Sequence, residues 1–205
     1  MYKAFVKRLI DIVLSFIGIL VLFVPMLIIS IIIMIEDPGK PFFTQKRIGK
    51  NKKLFKLMKF RSMKNSTPHD VPTHLLENPD QYILKSGRFF RKTSIDELPQ
   101  LFNIFVGQMS IIGPRPALWN QDDLAAERDK YGANDIKPGL TGWAQVNGRD
   151  ELEIPVKAKY DGEYAQNVTF GMDWKCFWIT VKNVVKGSGV VEGGTGTMEK
   201  QAKGE

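Results

Sequence analysis

Ile12–Ile35 reads IVLSFIGILVLFVPMLIISIIIMI, 24 residues without a charge and with Pro25 near the middle. As one helix this run reaches roughly 36 Å at about 1.5 Å per residue, enough to cross a hydrocarbon core of about 30 Å. Pro25 has no N–H to give, and its ring crowds the carbonyl of Val21, four residues back, so a kink is the least expected consequence. The halves 12–24 and 26–35 are each too short to cross alone. A sharp bend at Pro25 returns the segment to the face it entered. A tolerated proline leaves an ordinary signal anchor, since neighbouring groups can satisfy the freed carbonyl.

The flanks bear on that choice. Lys3, Lys7 and Arg8 precede the run, and ten Lys and Arg with no Asp or Glu follow it between Lys40 and His69. Basic flanks prefer the cytoplasmic side. A straight span places one of them outside, whereas a re-entrant hairpin keeps both inside. A cleavable signal peptide fits poorly, because the run is long for an h-region and no small-x-small site follows it before Glu36.

With 1–37 assigned to the membrane segment, about 150 residues, 38–187, make one catalytic-sized domain, and the Gly-rich 188–205 reads as a flexible tail. The net charge of +7 favours an anionic partner. Beside a membrane segment, lipid head groups or a phosphorylated substrate are the natural choices. No RNA-binding aromatic signature or zinc-finger spacing is present, so no nucleic-acid partner is expected. The single Cys176 rules out an intrachain disulfide and suits a reducing compartment. With only His69 and His74, a His-rich metal site is not expected. The chemistry should rest on carboxylates, Lys and Arg.

Along the chain, Asp37-Pro38-Gly39 ends the membrane segment. Strands are expected at Phe42–Ile48 and Leu54–Met63, joined by a polar turn at Gly49–Lys53. Asn65–Asp80, with three prolines, reads as a loop. Helices are expected at 86–92, 95–106, 120–131 and 153–166, and a short strand at Gly142–Val146. The fold class is therefore α+β: a membrane segment, either a re-entrant helix-break-helix or a single span, then a mostly helical domain with a small β-hairpin. In Met172–Lys186, Trp174, Phe177, Trp178, Val181, Val184 and Val185 recur at helical spacing, opposite Lys175, Lys182, Asn183 and Lys186. That helix either packs on the domain core or lies amphipathically in the bilayer interface, where Trp is enriched.

Asp96 and Glu97 are adjacent carboxylates in TSIDELPQLFNIFVG. Ser94-x-x-Glu97 matches a capping box, and Pro99 fits a helix only near its start, so the pair is placed at a helix N-terminus. Capping alone accounts for both acids. The same place also favours an ionised carboxylate, as a nucleophile or a Mg²⁺ ligand must be. Arg115 stands between two prolines in Gly113-Pro114-Arg115-Pro116, either as part of a rigid connector or as a pre-positioned phosphate ligand. Lys59 on the second strand, Arg88 and Arg149 are each weak alone. Together they offer cations for one diphosphate opposite two acids for one Mg²⁺.

In order along the chain, Lys59-Phe60-Arg61-Ser62-Met63, Asp96-Glu97-Leu98-Pro99-Gln100, Met109-Ser110-Ile111-Ile112-Gly113-Pro114-Arg115-Pro116 and Lys137–Arg149 (KPGLTGWAQVNGR) resemble the motifs of bacterial sugar transferases. These are the small monotopic phosphoglycosyl transferases, and the likeness extends to about Gly189. The resemblance implies transfer of a sugar-1-phosphate from a UDP-sugar to undecaprenyl phosphate, with release of UMP, at the cytoplasmic face of the bacterial inner membrane. It implies Asp96 as nucleophile forming a covalent phosphosugar enzyme, and Glu97 assisting Mg²⁺ binding or acceptor deprotonation. Lys59, Arg88, Arg115 and Arg149 then bind donor and acceptor phosphates. The family's membrane segment is re-entrant and commonly broken at Ser-Pro. Here the pair is Val24-Pro25, so the proline is kept and the serine is not. Direct transfer in a ternary complex and a non-catalytic lipid-binding adaptor are the alternatives. The sugar is not identified, and a homodimer is allowed.

Overall fold

The computed structural model describes residues 2–67, 78–148 and 152–185. The fold is α+β and mostly helical, built against one long N-terminal helix, α1 (Lys7–Glu36), which a π-helical turn at Tyr2–Val6 precedes. The chain stays helical through Pro25, so the break into two half-helices expected from the proline is not seen. The physical reason lies in packing on both sides of it. Leu22, Met26, Ile29 and Ile33 share one apolar cluster with Phe60, Leu84, Phe90, Ile95 and Leu98. These contacts hold the helix across the one hydrogen bond that Pro25 cannot make.

The buried residues of α1 are Asp11, Ser15, Met26, Ile29, Ser30 and Ile33, a stripe at steps of three, four and their multiples. The rest of the helix, including Leu20, Val21, Val24, Leu27, Ile28, Ile31 and Ile35, presents apolar side chains outward. Among the described residues α1 is the one helix long and apolar enough to cross a membrane. A contiguous exposed apolar face along a whole helix is rare on a water-soluble monomer.

Both ends of α1 are tied to the same domain by polar bonds. Near the start, Arg8 donates to the carbonyls of Ile104 and Phe105 at 2.7 and 2.8 Å. The Asp11 carboxylate accepts from Ile111 N at 2.9 Å and Ser110 Oγ at 3.1 Å. At the other end Glu36 accepts from the backbone of Lys85 and Ser86 at 2.5 and 3.1 Å. Asp37 next to it accepts from the Arg61 guanidinium and from Asn65 N.

β1 (Phe42–Ile48) and β2 (Leu54–Phe60) form an antiparallel ribbon with Phe42 opposite Phe60 and Ile48 opposite Leu54. β2 ends three residues before the expected Met63, because its partner strand runs out. Arg61 N bonds the Pro41 carbonyl, and the Arg61 side chain turns to Asp37. In the connection, Asn51 and Lys52 take φ of 54° and 59° around a 3₁₀ turn at Lys50–Lys52.

α2 (Lys85–Lys92) leads to a 3₁₀ turn at Ile95–Glu97 and then α3 (Gln100–Phe105). The single helix expected over 95–106 is split, since the first turn stays 3₁₀ and Pro99 becomes the residue before α3. β3 (Ser110–Ile112) pairs in parallel with β4 (Gly139–Thr141). The strand expected at Gly142–Val146 is corrected: Trp143–Val146 is a short helix, α5, once α4 (Asp122–Asp129) has been placed before it. The extended residues lie three positions earlier because their partner, β3, is about thirty residues away in sequence and leaves no local periodicity. α6 (Ile154–Gln166) and α7 (Phe170–Val185) complete the domain. α7 buries Cys176 and packs Met172 against Ile112 and Tyr164, while Phe170, Trp174, Phe177 and Trp178 stand exposed and stack on one another. The 188–205 tail, His69 and His74 lie outside the described residues.

Candidate active site

Ser94 enters the left-handed region at φ 57°, which turns the chain sharply out of α2 and into the Ile95–Glu97 3₁₀ turn. The expected capping box does not form. Ser94 makes no side-chain cap, and the Glu97 carboxylate points to cations instead. Glu97 Oε1 accepts from Lys59 Nζ at 2.9 Å and from Arg115 Nη2 at 3.3 Å. Asp96 Oδ2 stands 3.9 Å from the same Lys59 Nζ. Asp96 is buried as a residue, and the Glu97 side chain is 18% exposed. Burial alone would raise the Glu97 carboxyl, but the charges and hydrogen bonds of Lys59 and Arg115 outweigh it and hold the group down at about 2. Glu97 is thus an anion throughout the physiological range.

Lys59 and Arg115 are held at the acids by residues that lie outside the motifs. Lys59 rides on β2, whose open edge is bonded by Asn103 of α3. Asn103 Oδ1 accepts from Met58 N at 2.9 Å, and its Nδ2 donates to Lys56 O at 2.8 Å. The backbone at Arg115 and just after it is held by two other arginines: Arg128 Nη2 donates to Arg115 O and Arg47 Nη1 to Pro116 O, each at 3.0 Å. Arg128 is itself fixed by Asp161, at 2.8 and 2.6 Å through Nε and Nη2, and both side chains are almost fully buried. Behind the loop, Gly113 and Gly139 touch backbone to backbone. A Cβ on Gly139 would stand 2.1 Å from Gly113 N, so the glycines of the two motifs are there for close approach. Asn103, Arg47, Arg128 and Asp161 carry no signal in sequence. Each acts on a partner more than ten residues away.

The structure brings Asp96, Glu97, Lys59 and Arg115 together. Arg88 stands exposed on α2, the helix leading into the acidic turn, and makes no ion pair with either carboxylate. Arg149 lies outside the described residues. The residues flanking the acids, Ile95 and Leu98, pack against an apolar cluster to which α1 gives Met26, Ile29 and Ile33 and the domain gives Phe60, Leu84 and Phe90. Among the described residues, no group of three or more His, Cys, Asp or Glu gathers here. Two adjacent oxygen donors still fit Mg²⁺, which is commonly held by one or two carboxylates with substrate phosphates completing its shell.

Two acids and two cations gathered beside the cluster that an apolar helix shares with the domain make a site suited to handling anions on a membrane-associated protein. The chain belongs to the bacterial sugar transferase family, whose model matches residues 2–187. It is 41% identical over 164 residues to the uncharacterized sugar transferase EpsL of Bacillus subtilis, covering 79% of each chain. Against the UDP-glucose:undecaprenyl-phosphate glucose-1-phosphate transferase of Escherichia coli the identity is 37% over 182 residues, or 85% of this chain and 39% of the relative. The UDP-N-acetylgalactosamine-undecaprenyl-phosphate N-acetylgalactosaminephosphotransferase of Aeromonas hydrophila is 35% identical over 193 residues, with 91% and 45% covered. The chain thus spans less than half the length of the relatives whose names give a substrate.

Proposed function

We propose that this protein transfers a sugar-1-phosphate from a UDP-sugar to undecaprenyl phosphate and releases UMP. The observation that carries the reading is the convergence of Lys59 and Arg115 on the Asp96–Glu97 turn, whose flanking Ile95 and Leu98 pack into the apolar cluster that α1 shares with the domain. A membrane acceptor and a water-soluble diphosphate can meet at such a place. In the first step an Asp96 carboxylate oxygen attacks the β-phosphorus of the donor. The bond from that phosphorus to the bridging oxygen breaks, UMP leaves with the electron pair, and an acyl phosphate joins Asp96 to the phosphosugar. In the second step a phosphate oxygen of undecaprenyl phosphate attacks the same phosphorus and restores the Asp96 carboxylate. Lys59 and Arg115 bind the donor diphosphate and offset the charge that develops on UMP. Arg88 and Arg149 are proposed as further phosphate ligands. Asp96 and Glu97 would hold Mg²⁺, which would supply additional charge neutralisation at the phosphates.

The reading extends to topology. Both ends of α1 bond to one domain, which supports placing them on one side of a bilayer. We place the segment as re-entrant in the membrane, its continuous helix bent at Pro25, with the catalytic domain on the cytoplasmic face of the inner membrane, where UDP-sugars are made. The exposed aromatic face of α7 lies in the interface beside it, since Trp favours that depth.

Enzyme mixed with a UDP-sugar alone should gain the mass of one phosphosugar on Asp96, and a panel of UDP-sugars should identify the donor by UMP release. Stoichiometric UMP release that survives Asp96→Asn would sink the covalent step, and sequential kinetics would favour direct transfer in a ternary complex. Chelation of Mg²⁺ should abolish UMP release, and readdition should restore it. Labelling that finds the N-terminus outside would overturn the topology.

A further inference from the structure

The β1–β2 ribbon carries a second set of side chains on the face that bears Lys59. Phe43 is the direct cross-strand partner of Lys59, and Gln45 is that of Leu57. Directly opposed residues share a face, with Cβ atoms about 5 Å apart, and Gln45 follows Phe43 on that face at about 7 Å along the strand. Phe43 is 38% exposed. It belongs to none of the four apolar clusters and stacks on no other ring among the described residues, unlike Phe42, which stacks on Phe60. Gln45 is oriented by the arginine that also holds the Arg115 loop: Arg47 Nη2 donates to Gln45 Oε1 at 2.7 Å while Arg47 Nη1 donates to Pro116 O. With its oxygen so engaged, the Gln45 amide nitrogen bonds nothing among the described residues and is left to donate. A fixed amide donor, a flat apolar ring and a lysine therefore follow one another along one face, and the lysine is the one that meets Asp96 and Glu97.

We infer that Phe43 is the stacking platform for the uracil base of the donor, with Gln45 donating to a uracil carbonyl and Lys59 taking the adjoining diphosphate. The inference rests on the proposed donor chemistry and deepens it. A nucleobase presents a π face and carbonyl acceptors within a short reach of its phosphates, and the ribbon offers the complement of each. A hydrocarbon chain would use the ring and have no use for the amide. The ring's role sets an order of effect, because loss of an aromatic stacked on a base weakens binding by about tenfold or more.

The test is UMP binding, measured by calorimetry on the full-length chain in phosphatidylglycerol nanodiscs. Phe43→Ala and Phe43→Leu should each raise the UMP dissociation constant about tenfold, and Phe43→Trp should leave it equal or lower. Gln45→Ala should weaken UMP by a smaller factor, while binding of inorganic phosphate stays at the wild-type value in all four variants. UMP affinity that is unchanged in Phe43→Ala, or that Phe43→Leu retains, would overturn the stacking role, the latter outcome assigning Phe43 to lipid. Failure of the wild-type chain to bind UMP would overturn the donor reading itself, and this inference with it.

Discussion

Two carboxylate–cation clusters lie within one residue's backbone of each other, and they are built for opposite ends. Glu97 faces Lys59 and Arg115 at an opening where its side chain is 18% exposed, and Arg115 is 40% exposed. Asp161 pairs with Arg128, at 1% and 4% exposure, and also feels the charge of Lys157. Two cations outweigh burial at Glu97 and push its carboxyl down. At Asp161 burial outweighs Arg128 and Lys157 and pushes the carboxyl up, and one of its oxygens has no hydrogen-bond partner. The balance of cationic charge against depth of burial therefore sets the direction in which each carboxyl moves. The open cluster can exchange its partners for a phosphate. The closed one can only hold position, and what it holds is the carbonyl of Arg115.

The sharpest way to break the contrast is at the acids themselves. Asp96→Asn should lower UMP release by at least about a thousandfold and leave no phosphosugar adduct by mass spectrometry, with unfolding temperature near the wild-type value. In the closed cluster the loss should appear in stability instead. Asp161→Ala strands a buried guanidinium and should cost about 3–5 kcal/mol, read as a lowered unfolding midpoint, whereas replacing both partners by apolar residues of similar volume should recover most of it. Lys59→Met should lower kcat/KM by about 10- to 100-fold while leaving the fold intact, because it removes a phosphate ligand and not a packing group.

The smallest effect is on pH. Glu97 sits at about 2 in the folded protein, below about 4.3 for a free glutamate. Its contribution to stability is present in full above the free value and is lost as pH falls from about 4 towards about 2. Asp161 slopes the other way. The folded state takes up its proton more readily than the unfolded chain does, so its contribution falls as pH rises through the interval between the two values. Glu97→Gln should flatten the acid limb of the stability profile; an unchanged limb would mean that the Lys59 and Arg115 contacts do not stabilise the charged form.

Much of this was legible in the residues. Phe42–Ile48 runs into a polar turn, and it is a strand over that same range. Asp96, Glu97, Lys59 and Arg115 stand in ordered motifs and do converge. The misses share one cause. β4, Asn103, Arg128 and Asp161 are defined by partners far along the chain, and three-residue strands such as β3 and β4 are too short to show a period. The capping box failed for a related reason: Glu97 had two locally possible partners, the Ser94 backbone and a cation, and only the arrival of β2 decides between them.

By itself the sequence determined that a long apolar helix begins the chain, that an acidic pair stands where the backbone turns, and that basic residues surround it. Local composition, spacing and steric limits are enough for that. The tertiary structure alone decided that α1 stays helical through Pro25 and is tied at both ends to one domain, and that Lys59 and Arg115 share one oxygen of Glu97. Those outcomes depend on contacts between residues distant in sequence, where packing and charge pairing override the local preference of proline and of the capping motif.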